Sequence, residues 1–244
     1  MFSLRSCAAV GILAGVFAVP AVSSHELFRP YVGAGVQVLN LKLDKAYGGP
    51  LFNKGLPGST VFAGVRVGEF AGVELGYNYF SRKRDSQLGG GDILPGRGRT
   101  LFDLYGDDFT TFRTQVLIQD VNLGVTGYLP LEAVSCLLNK TEMFATVGVS
   151  RTSVRLRMLI TADPHGSVPE TSTDNPTHTF SQKKTIPIAR VGIQQNITEN
   201  INLSLFSEWK RLSAFNHMKA PTSRLLELRL KNSVSYGLRL GYIF

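Results

Sequence analysis

The chain has 244 residues, is 43% hydrophobic and carries a formal net charge of +8. That length suits one core or one barrel, and two cysteines are too few for a disulfide-stapled scaffold. A basic balance directs attention to anionic membrane surfaces, acidic glycans or nucleic acid.

Arg5 is the only charge in residues 1–24, and Cys7–Val19 is an apolar run followed by Ala21-Val22-Ser23. This is the layout of a secretory signal peptide with small residues at its cleavage point. The run is short of the ~20 apolar residues that a spanning helix needs, and Pro20 ends it. Residues 1–24 are therefore read as a signal peptide and 25–244 as one β-barrel domain. Export leaves Cys136 as the remaining cysteine and makes nucleic acid an unsuitable partner.

The rest of the chain reads as strands, because apolar and polar residues alternate with period two. In strand one, about Phe28 to Leu41, Val32, Ala34, Val36 and Val38 oppose Gly33, Gly35 and Gln37. In strand two, about Ser59 to Gly68, Val61, Ala63, Val65 and Val67 oppose Thr60, Gly64, Arg66 and Gly68. Strand three, about Ala71 to Phe80, sets Val73, Leu75, Tyr77 and Tyr79 against Gly72, Glu74, Gly76 and Asn78. Strand four ends near Leu129, with Val121, Leu123 and Val125 opposite Asp120, Asn122, Gly124 and Thr126. Strand five starts near Glu142 and sets Met143, Ala145, Val147 and Val149 against Phe144, Thr146, Gly148 and Ser150. Beyond it Val154, Leu156 and Met158 alternate with Ser153, Arg155 and Arg157, as in a hairpin arm that continues past a membrane. Strands six (about Thr185 to Gln195) and seven (about Ile201 to Trp209) keep the period. Strand eight closes the chain, with Val234, Tyr236, Leu238, Leu240, Tyr242 and Phe244 on one face.

The connections alternate in length. They are short at Gly68–Phe70, Pro130–Thr141 (where Ala133–Leu138 suits a helical turn) and Asn196–Asn200. They are long and rich in Gly, Pro, Ser, Asp and Asn at 42–58, 81–111, 161–184 and 210–231. Long loops confined to one end are the habit of a membrane barrel. The expected fold is all-β: an eight-stranded antiparallel up-and-down transmembrane barrel with long extracellular loops and short periplasmic turns. A soluble barrel is the rival, and it requires the Val-rich faces to point inward.

Val65-Arg66-Val67-Gly68-Glu69-Phe70-Ala71-Gly72-Val73-Glu74-Leu75-Gly76-Tyr77 and Tyr236-Gly237-Leu238-Arg239-Leu240-Gly241-Tyr242-Ile243-Phe244 resemble the small eight-stranded outer-membrane barrels, that is, the transmembrane domain of outer-membrane protein A and the opacity-type surface antigens. The resemblance covers the chain after its leader. It implies a bacterial outer-membrane location and a structural or adhesin-like surface role. It also implies that Tyr242 and Phe244 belong to a signal read by the barrel-insertion machinery. The chain is expected to depart from that family in one respect, the lack of a peptidoglycan-binding domain after the barrel, so a cell-wall tethering role is not expected of it.

On this register Arg66, Glu74, Asp120, Arg190, Glu208 and Arg239 point into the lumen, where charges must pair. Arg66 and Glu74 are expected to meet across their hairpin, and Glu208, Arg190 and Arg239 to form a second cluster. The network is read as a plug, with an ion path opened by exchange of partners as the alternative function. Arg82, Lys83, Arg84, Lys183, Lys184, Lys210 and Arg211 fall at the outer rim, a collar suited to lipopolysaccharide phosphates. The long loops are where a host or surface ligand would be met. A lipid-modifying enzyme is the remaining class. His25, His165, His178 and His217 fit no nucleophile–base–orienter arrangement and no lipid A deacylase or phospholipase pattern, so no enzyme, cofactor or metal is expected.

Overall fold

The computed structural model describes residues 27–41, 55–88, 109–131, 140–163, 177–215, 218–220, 223–228 and 230–244. The expected signal peptide, Cys136 and the suggested helical turn at 133–138 lie outside these residues, as do His25, His165 and His217.

The strands are β1 (Phe28–Asn40), β2 (Leu56–Val67), β3 (Ala71–Leu88), β4 (Phe109–Pro130), β5 (Thr141–Asp163), β6 (Thr177–Asn196), β7 (Ile201–Lys210), β8 (Met218–Ala220), β9 (Ser223–Leu228) and β10 (Ser233–Ile243). Eight of them close a barrel in the order β1-β10-β7-β6-β5-β4-β3-β2, and β8 and β9 form a separate hairpin. All neighbours are antiparallel, and closure comes from β1 pairing with β10 through Tyr31↔Ile243 to Asn40↔Val234. A closed barrel leaves no unpaired edge around its wall.

The apolar faces point outward. Val36, Leu75, Leu123, Val147, Val191, Leu205 and Leu238 are all exposed, which removes the soluble-barrel reading. On β10 the outward face is apolar from Val234 to Tyr242, a run of the ~9–11 residues that cross a hydrocarbon core. Tyr79, Trp209 and Tyr236 stand exposed towards the long-loop end, with Phe70, Tyr242 and Phe244 at the short-turn end. This apolar band between aromatic girdles is what a bilayer-spanning barrel presents to lipid.

Four strands run into the expected loops. β3 reaches Leu88, β4 starts at Phe109 and β6 starts at Thr177, while β5 reaches Asp163 along the expected hairpin arm, so the ends of the expected long loops at 81–111 and 161–184 are strand. The expected loop at 210–231 likewise carries a 3-10 turn at Leu212–Ala214 and the β8–β9 hairpin. The reason is a second core. Leu39, Phe80, Ile118, Val154, Leu156, Phe180 and Ile186 are buried in one cluster with Leu212 and Phe215. These strand residues lie on the lumen side, so above the band the polarity inverts, with apolar residues inside and Gln119, Ser153, Arg155 and Ser181 outside. The four long strands therefore have water on one face and their own apolar core on the other.

Candidate functional site: the lumen ion network and the outer rim

Below the apolar cluster the interior is polar and ionic. β3 carries Glu74 inward opposite Gly64 of β2, where the absent side chain leaves room for the Tyr31 ring. Its Oε1 accepts from Arg190 Nη1 at 2.5 Å and Arg239 Nη1 at 2.8 Å. Arg190 also donates from Nε and Nη2 to Glu208 Oε2, at 2.8 and 2.5 Å. Lys210 lies two residues beyond Glu208 on the same face of β7. Its Nζ is 3.0 Å from Glu208 Oε1 and 2.5 Å from Asp120 Oδ2. Asp120 accepts in addition from Asn78 at 2.7 Å.

Arg66 does not meet Glu74. It reaches across the interior to Glu142 of β5, with Nη1 and Nη2 each 2.9 Å from a carboxylate oxygen, and gives a further bond to the Glu69 carbonyl. Glu74 is held instead by the two arginines on the far wall. Glu142, at the start of β5, is an interior residue that the expected lumen set did not include, and its pair with Arg66 is the bidentate kind favoured by planar guanidinium.

Aromatic rings fill the space between the charges. The Arg239 guanidinium lies 4.2 Å from the ring centre of Phe62 and 4.9 Å from that of Phe206, and Arg66 lies 4.3 Å from that of Tyr128. The rings fit because glycines face them. Gly33 pairs with Phe62, Gly192 with Phe144 and Gly237 with Phe206, and a Cβ at any of the three would come within 2.6 Å of the ring. Among Tyr31, Phe62, Glu74, Phe144 and Arg239 the remaining space is ≈ 20 Å³, close to the ~10–15 Å³ that one water requires.

The expected rim residues divide. Lys210 is fully buried in the network and is not at the rim. Arg82 donates to the Gly55 carbonyl at 2.6 Å and Lys184 to the Ala214 carbonyl at 2.5 Å, so both tie down the upper wall. Lys183 and Arg211 are exposed. The side chains of Lys83, Arg84 and His178 lie outside the described residues. Tyr242 and Phe244 stand exposed on the outer face, ring on edge at 5.2 Å.

No protein-family model matches the chain, and no curated protein matches it in sequence. Solved structures of similar architecture are small eight-stranded outer-membrane barrels. The attachment invasion locus protein Ail of Yersinia pestis, solved with the heparin analogue sucrose octasulfate, is 13% identical with a TM-score of 0.49, over 89% of this chain and 99% of that one. OprG from Pseudomonas aeruginosa is 10% identical with a TM-score of 0.46, over 92% and 99%. Neisserial surface protein A is 11% identical with a TM-score of 0.41, over 88% and 97%. At such identities the likeness is one of architecture, and no residue role or ligand is transferred from it.

Proposed function

We propose that this protein is a bacterial outer-membrane barrel that does not conduct ions and that holds the extended β3–β6 sheet above the membrane as a surface for contact with other molecules. The inversion of polarity along the barrel carries this reading. An ionic layer in the lower interior is capped by an apolar layer in the upper interior, so a hydrated ion meets first a set of satisfied charges and then side chains that offer it nothing. In this reading residues 1–24 are the removed signal peptide and the long-loop end is extracellular. Lipid and lipopolysaccharide surround the wall, with Lys183 and Arg211 as its exposed rim cations. A host or surface ligand is met by the loops and the protruding sheet. The exposed Tyr242–Phe244 pair serves the insertion machinery.

Purified protein in planar bilayers should show conductance at background, and Glu74→Ala should leave it there because the apolar cap is intact. Discrete channel openings in the wild type would remove this reading in favour of a pore. In whole cells, with Cys136 replaced by serine, a membrane-impermeant maleimide should label Ser153→Cys and spare Val147→Cys. A further expectation concerns the end of the chain. Phe244→Ser should lower the fraction of heat-modifiable barrel recovered from cells several-fold while leaving refolding into detergent unchanged. An equal loss in both settings would assign the residue to stability alone.

A further inference from the structure

The outer face of the protruding sheet carries a groove that the rim expectation did not include. It is ≈ 360 Å³ and is lined by Gln115, Leu117, Arg155, Arg157, Thr179 and Ser181, within the ~300–1,000 Å³ typical of small-ligand sites. Two registered rows build it. Gln115 pairs with Arg157 and Leu117 with Arg155 on one side, and Arg157 pairs with Thr179 and Arg155 with Ser181 on the other. Both arginines are exposed, and among the described residues no carboxylate pairs with either. The nearest outward positions below are Gln119, Ser153 and Lys183, then Arg151 and Thr185, again without an acid. Inside the lumen Arg66, Arg190 and Arg239 are each neutralised by a carboxylate; on this outer face the two arginines are flanked by amide and hydroxyl groups.

Height above the membrane narrows the ligand. Val149 is the outward residue of β5 at the upper end of the apolar band, followed outward by Arg151 and Ser153. At about 3.4 Å per residue and a tilt of about 45°, Arg151 stands about 5 Å above it, Arg155 about 14 Å and Arg157 about 19 Å. The polar layer of a bilayer is only about 5–8 Å deep on each side. Arg151 is thus level with lipid headgroups, whereas Arg155 and Arg157 lie beyond them. A ligand for the pair must rise above the lipid phosphates or come from solution.

We propose that this groove binds an anionic carbohydrate whose phosphate or sulfate groups lie about 7 Å apart, the distance between side chains two residues apart on one strand face. Each guanidinium takes one anion through paired N–H donors. Gln115, Thr179 and Ser181 supply the amide and hydroxyl partners that sugar hydroxyls need, and Leu117 offers the CH face of a ring an apolar contact. The chemistry is shared by the phosphorylated sugars of a membrane glycolipid and by a free sulfated glycan. The membrane reading enters only through the height argument, so binding by detergent-solubilised protein tests the groove separately from membrane insertion.

The test is calorimetric titration of the full chain in lipid-free detergent micelles with three probes: a bis-phosphorylated glucosamine disaccharide, sulfated maltotetraose and unmodified maltotetraose. One or both anionic sugars should bind and the neutral one should not, and whichever binds more tightly identifies the source. Arg155→Gln/Arg157→Gln should weaken that binding tenfold or more, whereas Arg151→Gln/Lys183→Gln should weaken it less than threefold. Heat-modifiable migration of both variants confirms that the barrel is intact. Three results would overturn the site: no binding of either anionic sugar, an equal loss in the two double variants, or poly-glutamate binding as tightly as the sugars.

Discussion

Lys210→Met is expected to destabilise the folded barrel by about 3–5 kcal/mol, the cost of leaving a buried charge without its partner. Nζ stands between Asp120 and Glu208, and all three side chains are fully buried. Glu208 keeps Arg190 when the ammonium is removed. Asp120 keeps only Asn78, a neutral donor. The penalty therefore falls on Asp120, and neutralising that residue as well should lift most of it. Asp120→Asn/Lys210→Met is expected to unfold within about 1–2 kcal/mol of the wild type, since a buried ion pair replaced as a unit by uncharged groups is often close to neutral. Urea titration in detergent micelles, followed through Trp209, the sole tryptophan, measures both. A single variant with an unchanged midpoint would show that Lys210 sits in water, contrary to its place beneath the apolar cluster.

The same residue shows how far the sequence can be read. Parity along a strand is local information, and it assigned the outward and inward faces of every barrel strand. Lys210 shares the parity of Glu208, and Arg82 and Lys184 share that of Asn78 and Arg190, so alternation alone would have turned all three inward. The basic character of the loop ends masked that signal. The upper core was legible in a similar way. Tyr79-Phe80 and Val116-Leu117-Ile118 place apolar residues on both faces where the band ends, which is what a change from lipid outside to core inside requires. The Arg66–Glu142 pair was not legible, because which side chains meet across a lumen depends on strand tilt and stagger and not on hairpin register. Nor does composition reveal that Gly33, Gly192 and Gly237 are the counterparts of inward rings. A glycine in a lumen position reads only as small until the opposing strand is known.

Leu205→Arg is the second large effect, and it tests the inversion itself. Leu205 is 65% exposed and sits between Leu238 of β10 and Ile193 of β6, near the middle of the apolar band. If that exterior faces lipid, an arginine there costs about 2–4 kcal/mol, because a charge at the bilayer midplane must drag water or headgroups with it. If it faced water, the same change at an exposed site would fall within about 0.5 kcal/mol. The upper wall should respond in the opposite sense. Ser153→Arg adds a cation to an outward position above the band and is expected to be near neutral. Leu156→Ala, at a side chain only 4% exposed, removes packing from the upper core and should cost about 2–5 kcal/mol. Reversible unfolding of vesicle-inserted protein gives all three on one scale. The pattern matters more than any single value: the outward residue is sensitive to charge below the boundary and tolerant above it, while above it the inward residue becomes the one that cannot be trimmed. A Leu205→Arg barrel as stable as the wild type in vesicles would mean that the apolar exterior is covered by something other than lipid.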